Sequence, residues 1–383
     1  MKWYEAPLVL EILVSGGMLA GISLSAMLWL SDRAYPLTPI LFHGLVLPAP
    51  FDSWLVISLV TLGVISLVLP KDPRPMLGLI LNLGVLLFLD QSRWQPWVYL
   101  YLFFFIGFYL IRRRNNEART GSIHQVFRLM IIGVYVWSAI QKFNVSFITQ
   151  VAPGLITNIP FIGTMLSASL LVIIAIPVVE FGIGLGLLFT KTRKPAVVFA
   201  ILMHVLILLS IVPSESNWNT VVWPWNITMM LLVFSLFWNS HEPIHIQTLA
   251  KSKHPFIISV LAFFFILPVF SFTNLWDSYL SFALYSGNVK PGYLIMRPEH
   301  LKVFPEHVWP LAERQRDGSV RLRQLFWSME VLNVPVYPEE RIFKSGLAWA
   351  CEETGDEIEM EIFERPHWIT KERKVKTLSC LDL

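Results

Sequence analysis

The sequence predicts an all-α polytopic membrane protein of about nine transmembrane helices, followed by a small extramembrane α+β or β-rich module. Three observations predict it. Hydrophobic residues make up 55% of the 383 residues, charged residues only 15%, and mean hydropathy is +0.58. The apolar residues come in blocks long enough to cross a bilayer. The charge is concentrated at one end: 30 of the 57 charged residues lie from Leu280 onward.

Lipid offers no partner for backbone N–H and C=O groups, so each apolar block must close its own hydrogen bonds as a helix. The blocks predict helices at 8-30, 54-70, 75-90, 96-112, 126-143, 165-189, 195-212, 221-238 and 255-272. The pair 75-90 and 96-112 is short, and a re-entrant hairpin is the alternative there. The first block is longer than a signal-peptide core and runs into Ser31-Asp32-Arg33, so it is expected to be retained. The polar part, 273-383, is a second domain beside the helical 1-272. Alternating runs such as Val334–Tyr337 and Glu357–Phe363 predict strands there, whereas 306-332 has a more helical pattern.

Basic residues set the orientation. Lys71 and Arg74, then Arg112–Arg114 with Arg119 and Arg128, then Lys191, Arg193 and Lys194, then Lys251 and Lys253 fall in alternate loops. Residues 144-164 and 213-220 hold no Lys or Arg. The first set is expected in the cytoplasm. That places the N-terminus inside and 273-383 outside, in a membrane expected to be the bacterial plasma (inner) membrane. The bilayer is then the main partner, and a membrane or extracytoplasmic protein partner is left open. A formal charge of only +3, spread over short loops, excludes a nucleic-acid footprint.

The chain has two cysteines, Cys351 and Cys380, both in the tail. Two thiols make neither a CxxC pair nor a thiolate zinc cluster, and an external location permits one disulfide. No metal site is expected. His241 and His245 have helical i, i+4 spacing, but Pro243 lies between them and a solvated loop is the better reading.

Ionisable residues at membrane depth are costly and need a reason. Lys142 ends the fifth block, with Tyr135, Ser138 and Gln141 at helical spacing. Glu180 sits inside the sixth, His204 in the middle of the seventh, and Asp90 closes the third. Lys142 could instead snorkel to the headgroups, and His204 could be a packing residue. Glu180 has no partner on its own helix and is expected to pair with Lys142, His204 or Arg193, or to be protonated. Trp94, Trp97, Trp218, Trp223 and Trp225 match interfacial aromatic belts, or could line a site for a flat ring.

The run Phe88-Leu-Asp-Gln-Ser-Arg-Trp94-Gln-Pro-Trp-Val-Tyr-Leu-Tyr101 is followed in order by Val126-Phe-Arg-Leu, Ile140-Gln-Lys-Phe143, Val178-Val-Glu-Phe, Thr192-Arg-Lys and Met203-His204. From about residue 40 to 240 this order resembles the transmembrane half of vitamin K-dependent γ-carboxylase and its bacterial relatives, the horizontally transferred transmembrane (HTTM) family. The resemblance implies a base at Lys142, acting on a reduced quinone ring, with Glu180 and His204 in support and Trp97, Tyr135 and Gln141 near the cofactor. Gln141 replaces the family's second lysine and Trp97 its functional histidine, departures that weigh against glutamate carboxylation. No cofactor is fixed by the residues, and a quinone is what the resemblance suggests. Whether the chain is an enzyme stays open. A non-catalytic DoxX-like redox-associated accessory subunit is the alternative, and a transporter, thinly supported by Pro177 and Gly182-x-Gly184-x-Gly186, is a third.

Overall fold

A computed structural model describes residues 7–40, 47–114, 117–211, 219–355, 357–367, 369–370 and 372–383. Long helices appear at the expected places: α1 (Pro7–Leu24), continued after a break by α2 (Ala26–Trp29), then α3 (Phe51–Val68), α4 (Pro73–Leu89), α5 (Pro96–Arg114) and α6 (Glu117–Lys142). After two short helices, α7 (Ala152–Thr157) and α8 (Gly163–Ser167), come α9 (Leu170–Leu188), α10 (Arg193–Ile211) and α11 (Val222–Phe237). The short α12 (Ile246–Ala250) leads to α13 (Pro255–Leu261), which runs on through a π turn and a 3-10 turn to Thr273.

Six of these stretches are long and apolar enough to cross a membrane: α1, α3, the Thr120–Lys142 part of α6, α9, α10 and Pro255–Thr273. Their length and composition are those of membrane-spanning helices. The shorter α4 and α11, at 17 and 16 residues, and α5, which ends on its arginines, complete the bundle around a shared apolar core.

Three expectations are corrected. The fifth block is longer than 126-143 because the polar stretch before it continues the same hydrogen-bond ladder from Glu117. The block at 165-189 is two helices. Ser169 leaves helical geometry, and its hydroxyl accepts from the Val172 N–H, which starts α9 afresh. Val334–Tyr337 is not a strand. Pro335 removes a ladder donor, and the segment is a buried connection whose carbonyls accept from Gln95 and Ser328. Trp218 and most of the 213–220 loop lie outside the described residues.

The tail folds as a five-stranded antiparallel sheet with order β2 (Glu313–Arg314), β3 (Val320–Arg323), β1 (Gly292–Met296), β4 (Glu359–Phe363), β5 (Val375–Ser379). Leu294 pairs with Leu322 on one side and Met360 on the other, and all three are buried on one face. Helices α14 (Gln324–Leu332) and α15 (Glu340–Thr354) cover it, with α14 taking only the end of the stretch expected to be helical. The rest of that stretch is a 3-10 turn, Glu306–Leu311, and the β2–β3 hairpin. Cys351 on α15 and Cys380 after β5 form a disulfide, with Cα atoms 6.0 Å apart.

The tail is joined to the bundle by polar contacts at one end of the helices. Trp327 Nε1 donates to the Ala34 carbonyl at 2.8 Å, and Asn333 Nδ2 to the Leu24 carbonyl at 2.9 Å and Thr220 Oγ1 at 2.6 Å. Arg341 Nε donates to Gln91 Oε1, and Gln91 Nε2 to Asp277. Beneath them Arg93, 2% exposed, donates to the Leu28, Trp29 and Leu86 carbonyls. These are terminal carbonyls of α2 and α4 that have no partner within their own helices. Asp90 pairs with Arg33 at 2.6 Å and accepts from the Ser92 and Thr38 N–H groups.

Candidate functional site: an ion pair and a histidine chain within the helices

One glycine sets the close approach of α6 and α9. Gly184 faces Tyr135 and Val136, and a Cβ there would lie 2.8 Å from Val136 Cγ2, so only glycine lets the helices approach this closely. The approach brings Lys142, the last residue of α6, against Glu180 in the middle of α9. Lys142 Nζ lies 2.8 Å from Glu180 Oε2 and 3.0 Å from Oε1, and it donates to Ser138 Oγ at 2.6 Å. The side chains are 13% and 7% exposed. Three ammonium protons against these acceptors leave the charge fully hydrogen-bonded.

A second polar chain crosses three helices. The Tyr135 hydroxyl is 2.8 Å from His204 Nε2, His204 Nδ1 is 2.6 Å from Asn226 Oδ1, and Asn226 Nδ2 donates to the Val222 carbonyl at 2.7 Å. Because the Asn226 oxygen faces Nδ1, that nitrogen carries the proton and Nε2 accepts from the tyrosine. The imidazole is therefore satisfied as a neutral ring. Tyr135 lies two turns before Lys142 on α6, so the chain runs directly inward of the ion pair.

The structure thus brings together Lys142, Glu180, Tyr135 and His204. It places Gln141 and Trp97 elsewhere. Gln141, one position from Lys142, points to the other side of α6: its Nε2 donates to Ser271 Oγ at 2.9 Å and its Oε1 accepts from Asn288 at 2.6 Å. Next to it, Asn144 donates to the Ser286 carbonyl, and Gly287, with φ of 71°, lies so close to Phe147 N that a Cβ would be 2.9 Å away. Gln141 is a tether between α6 and the tail. Trp97, near the start of α5, packs against Gly21 of α1 and edge-on to Trp29 and Tyr101.

Asn226 is the partner that the sequence reading gave no role, whereas Ser138 stands beside Lys142 as its helical spacing predicts. Asn226 had a signal, an amide inside an apolar helix, obscured by the tryptophans around it. A further pair, Glu11 with Arg112, closes the opposite end of the bundle, where Arg112 also donates to the Ser66 and Asp72 carbonyls. Among the described residues no group of three or more His, Cys, Asp or Glu is placed to hold a metal.

Neither a protein-family description, nor a curated protein, nor a solved structure matches this chain.

Proposed function

We propose that this chain is an HTTM-type membrane protein that transfers a proton to or from a lipophilic ring, of the quinone class, at Lys142. The observation that carries this reading is the Lys142–Glu180 contact within the helices. A carboxylate held 2.8 Å from the amine stabilises the ammonium that Lys142 becomes when it takes a proton. Deprotonation of a ring hydroxyl by that amine leaves the ring as its anion and Lys142 as the ammonium that Glu180 is placed to stabilise. His204, held neutral between Tyr135 and Asn226, offers a relay inward.

The same reading takes all nine long apolar helices as spans, including α4, α5 and α11, with the basic loops in the cytoplasm and the tail external, in a bacterial plasma membrane. A second reading has one observation in its favour. Lys142 is fully hydrogen-bonded, as a residue pinning two helices of an accessory subunit would be.

A reduced naphthoquinone added to the protein in lipid nanodiscs separates the two. Bound at a working base it should show the absorbance of its anion near neutral pH, and Lys142→Arg should lose that signal, since guanidinium does not deprotonate. No anion signal in the folded wild-type protein would leave the accessory reading.

A further inference from the structure

Between Phe143 and Val179 the chain has no Asp, Glu, Lys, Arg or His, where an overall charged content of 15% would place about five. A surface connection between helices is ordinarily polar. This one forms a helical hairpin: a π turn, Phe147–Val151, runs into α7, and a tight turn leads to α8. Its inner face packs Phe147, Ala152 and Ile156 against Ile173 of α9. Its other face is uncovered. Phe161 at the tip is fully exposed, with φ of 68°, a region that bulky residues rarely adopt, and Met165 is 69% exposed.

The depth of this hairpin follows from the helix register. Gly184 meets Tyr135 and Val136, and α6 runs antiparallel to α9, so Lys142 at the end of α6 is level with about residue 177 of α9. From there α9 continues outward for roughly seven residues, or ~10 Å, to Leu170. The hairpin packs beside that last stretch, whose Leu170, Leu171 and Ile174 are themselves exposed and apolar. Its uncovered face is continuous with the exposed apolar surface of α9.

We propose that residues 147–169 form a membrane-embedded hairpin, seated in the acyl chains of the leaflet on the tail's side, with Phe161 and Met165 in hydrocarbon. The occupant of the exposed face is lipid, because the face is uncharged and merges with a spanning helix, and because the hairpin's helical segments, 147–157 and 163–167, close their own backbone hydrogen bonds. The proposal is independent of the chemistry assigned to Lys142.

The disulfide leaves neither native cysteine free, so Phe161→Cys and Met165→Cys each give one site for an NBD label. Asp317→Cys, in the exposed β2–β3 turn, is the aqueous reference. The proteins are measured in phosphatidylcholine nanodiscs with and without doxyl-labelled lipid, and with iodide. At residues 161 and 165 the proposal requires blue-shifted emission, strong quenching by the doxyl lipid, and iodide quenching several-fold weaker than at 317. Iodide quenching equal to that at 317 would put the hairpin in water and overturn it. Blue-shifted emission shielded from both quenchers would mean that protein covers the face, and would overturn it as well.

Discussion

Lys142 and Glu180 are 38 positions apart in sequence, and both carboxylate oxygens of Glu180 lie within 3.0 Å of the lysine nitrogen. Both groups are largely buried, which makes the pair a liability if either partner is lost. Removing one leaves an uncompensated charge, a change that typically costs ~3–5 kcal/mol, whereas replacing both with apolar groups of similar size is often neutral. Lys142→Met and Glu180→Met should each lower the melting temperature in detergent or nanodiscs, and the double variant should recover most of the loss. Additive losses in the double variant would mean that the pair is not coupled.

Reduction of Cys351–Cys380 should loosen the tail. The bridge has a sequence separation of 29, and in the chain-entropy model closing such a loop contributes ~3–4 kcal/mol. The non-reduced protein should migrate faster on a denaturing gel than the reduced one, and protease should cut the tail sooner after reduction. Two free thiols in protein taken from its native membrane would refute the bridge.

Tail stability should also depend on pH through Glu339. Burial pushes its carboxyl above the ordinary 4.5, and Asp277 adds to this, while the Ser278 N–H and nearby Arg365 act against it. A carboxyl raised in the folded state favours the protonated form. Its stabilising contribution is complete below the unfolded value and is lost as pH rises through the folded one. Glu339→Gln keeps the acceptor for Ser278 and removes the titration. The variant should match the wild type at low pH, melt at a higher temperature than wild type at neutral pH, and flatten the profile between. An unchanged neutral-pH melting temperature would contradict this.

The six long apolar helices were legible because lipid permits few structures and each such block declares itself by composition. The disulfide was legible because two cysteines in one module allow a single pairing. The partners within the site were less so. The sequence left Glu180 with three candidate partners, and only the glycine-mediated approach at Gly184 selects Lys142. Gln141 adjoins Lys142 in sequence but lies about 100° away around the helix, so adjacency pointed to the wrong face. Arg93 lies in the short stretch between the blocks 75-90 and 96-112. Its work, satisfying the terminal carbonyls of two helices, depends on a meeting of chain ends that no local pattern encodes.

That tether role for Gln141 gives a further prediction. Gln141→Ala leaves the buried Asn288 amide without this partner, at a cost of about 1–3 kcal/mol, while the Ser271 hydroxyl still donates to the Pro268 carbonyl. The variant should release the tail to protease while leaving the Lys142–Glu180 coupling measured above unchanged. Loss of that coupling as well would show that Gln141 acts on the site and not only on the tail.

The contacts of Trp327 with Ala34 and of Asn333 with Leu24 also constrain how the protein is made. These partners are separated by 293 and 309 positions, so the end of α1 is completed by a segment synthesised about 300 residues later. During synthesis, at roughly 5–20 residues per second, the end of α1 waits on the order of half a minute with its polar groups unmatched. A ribosome stalled before residue 324 would leave an inserted but unfinished bundle, the state most exposed to membrane quality-control proteases.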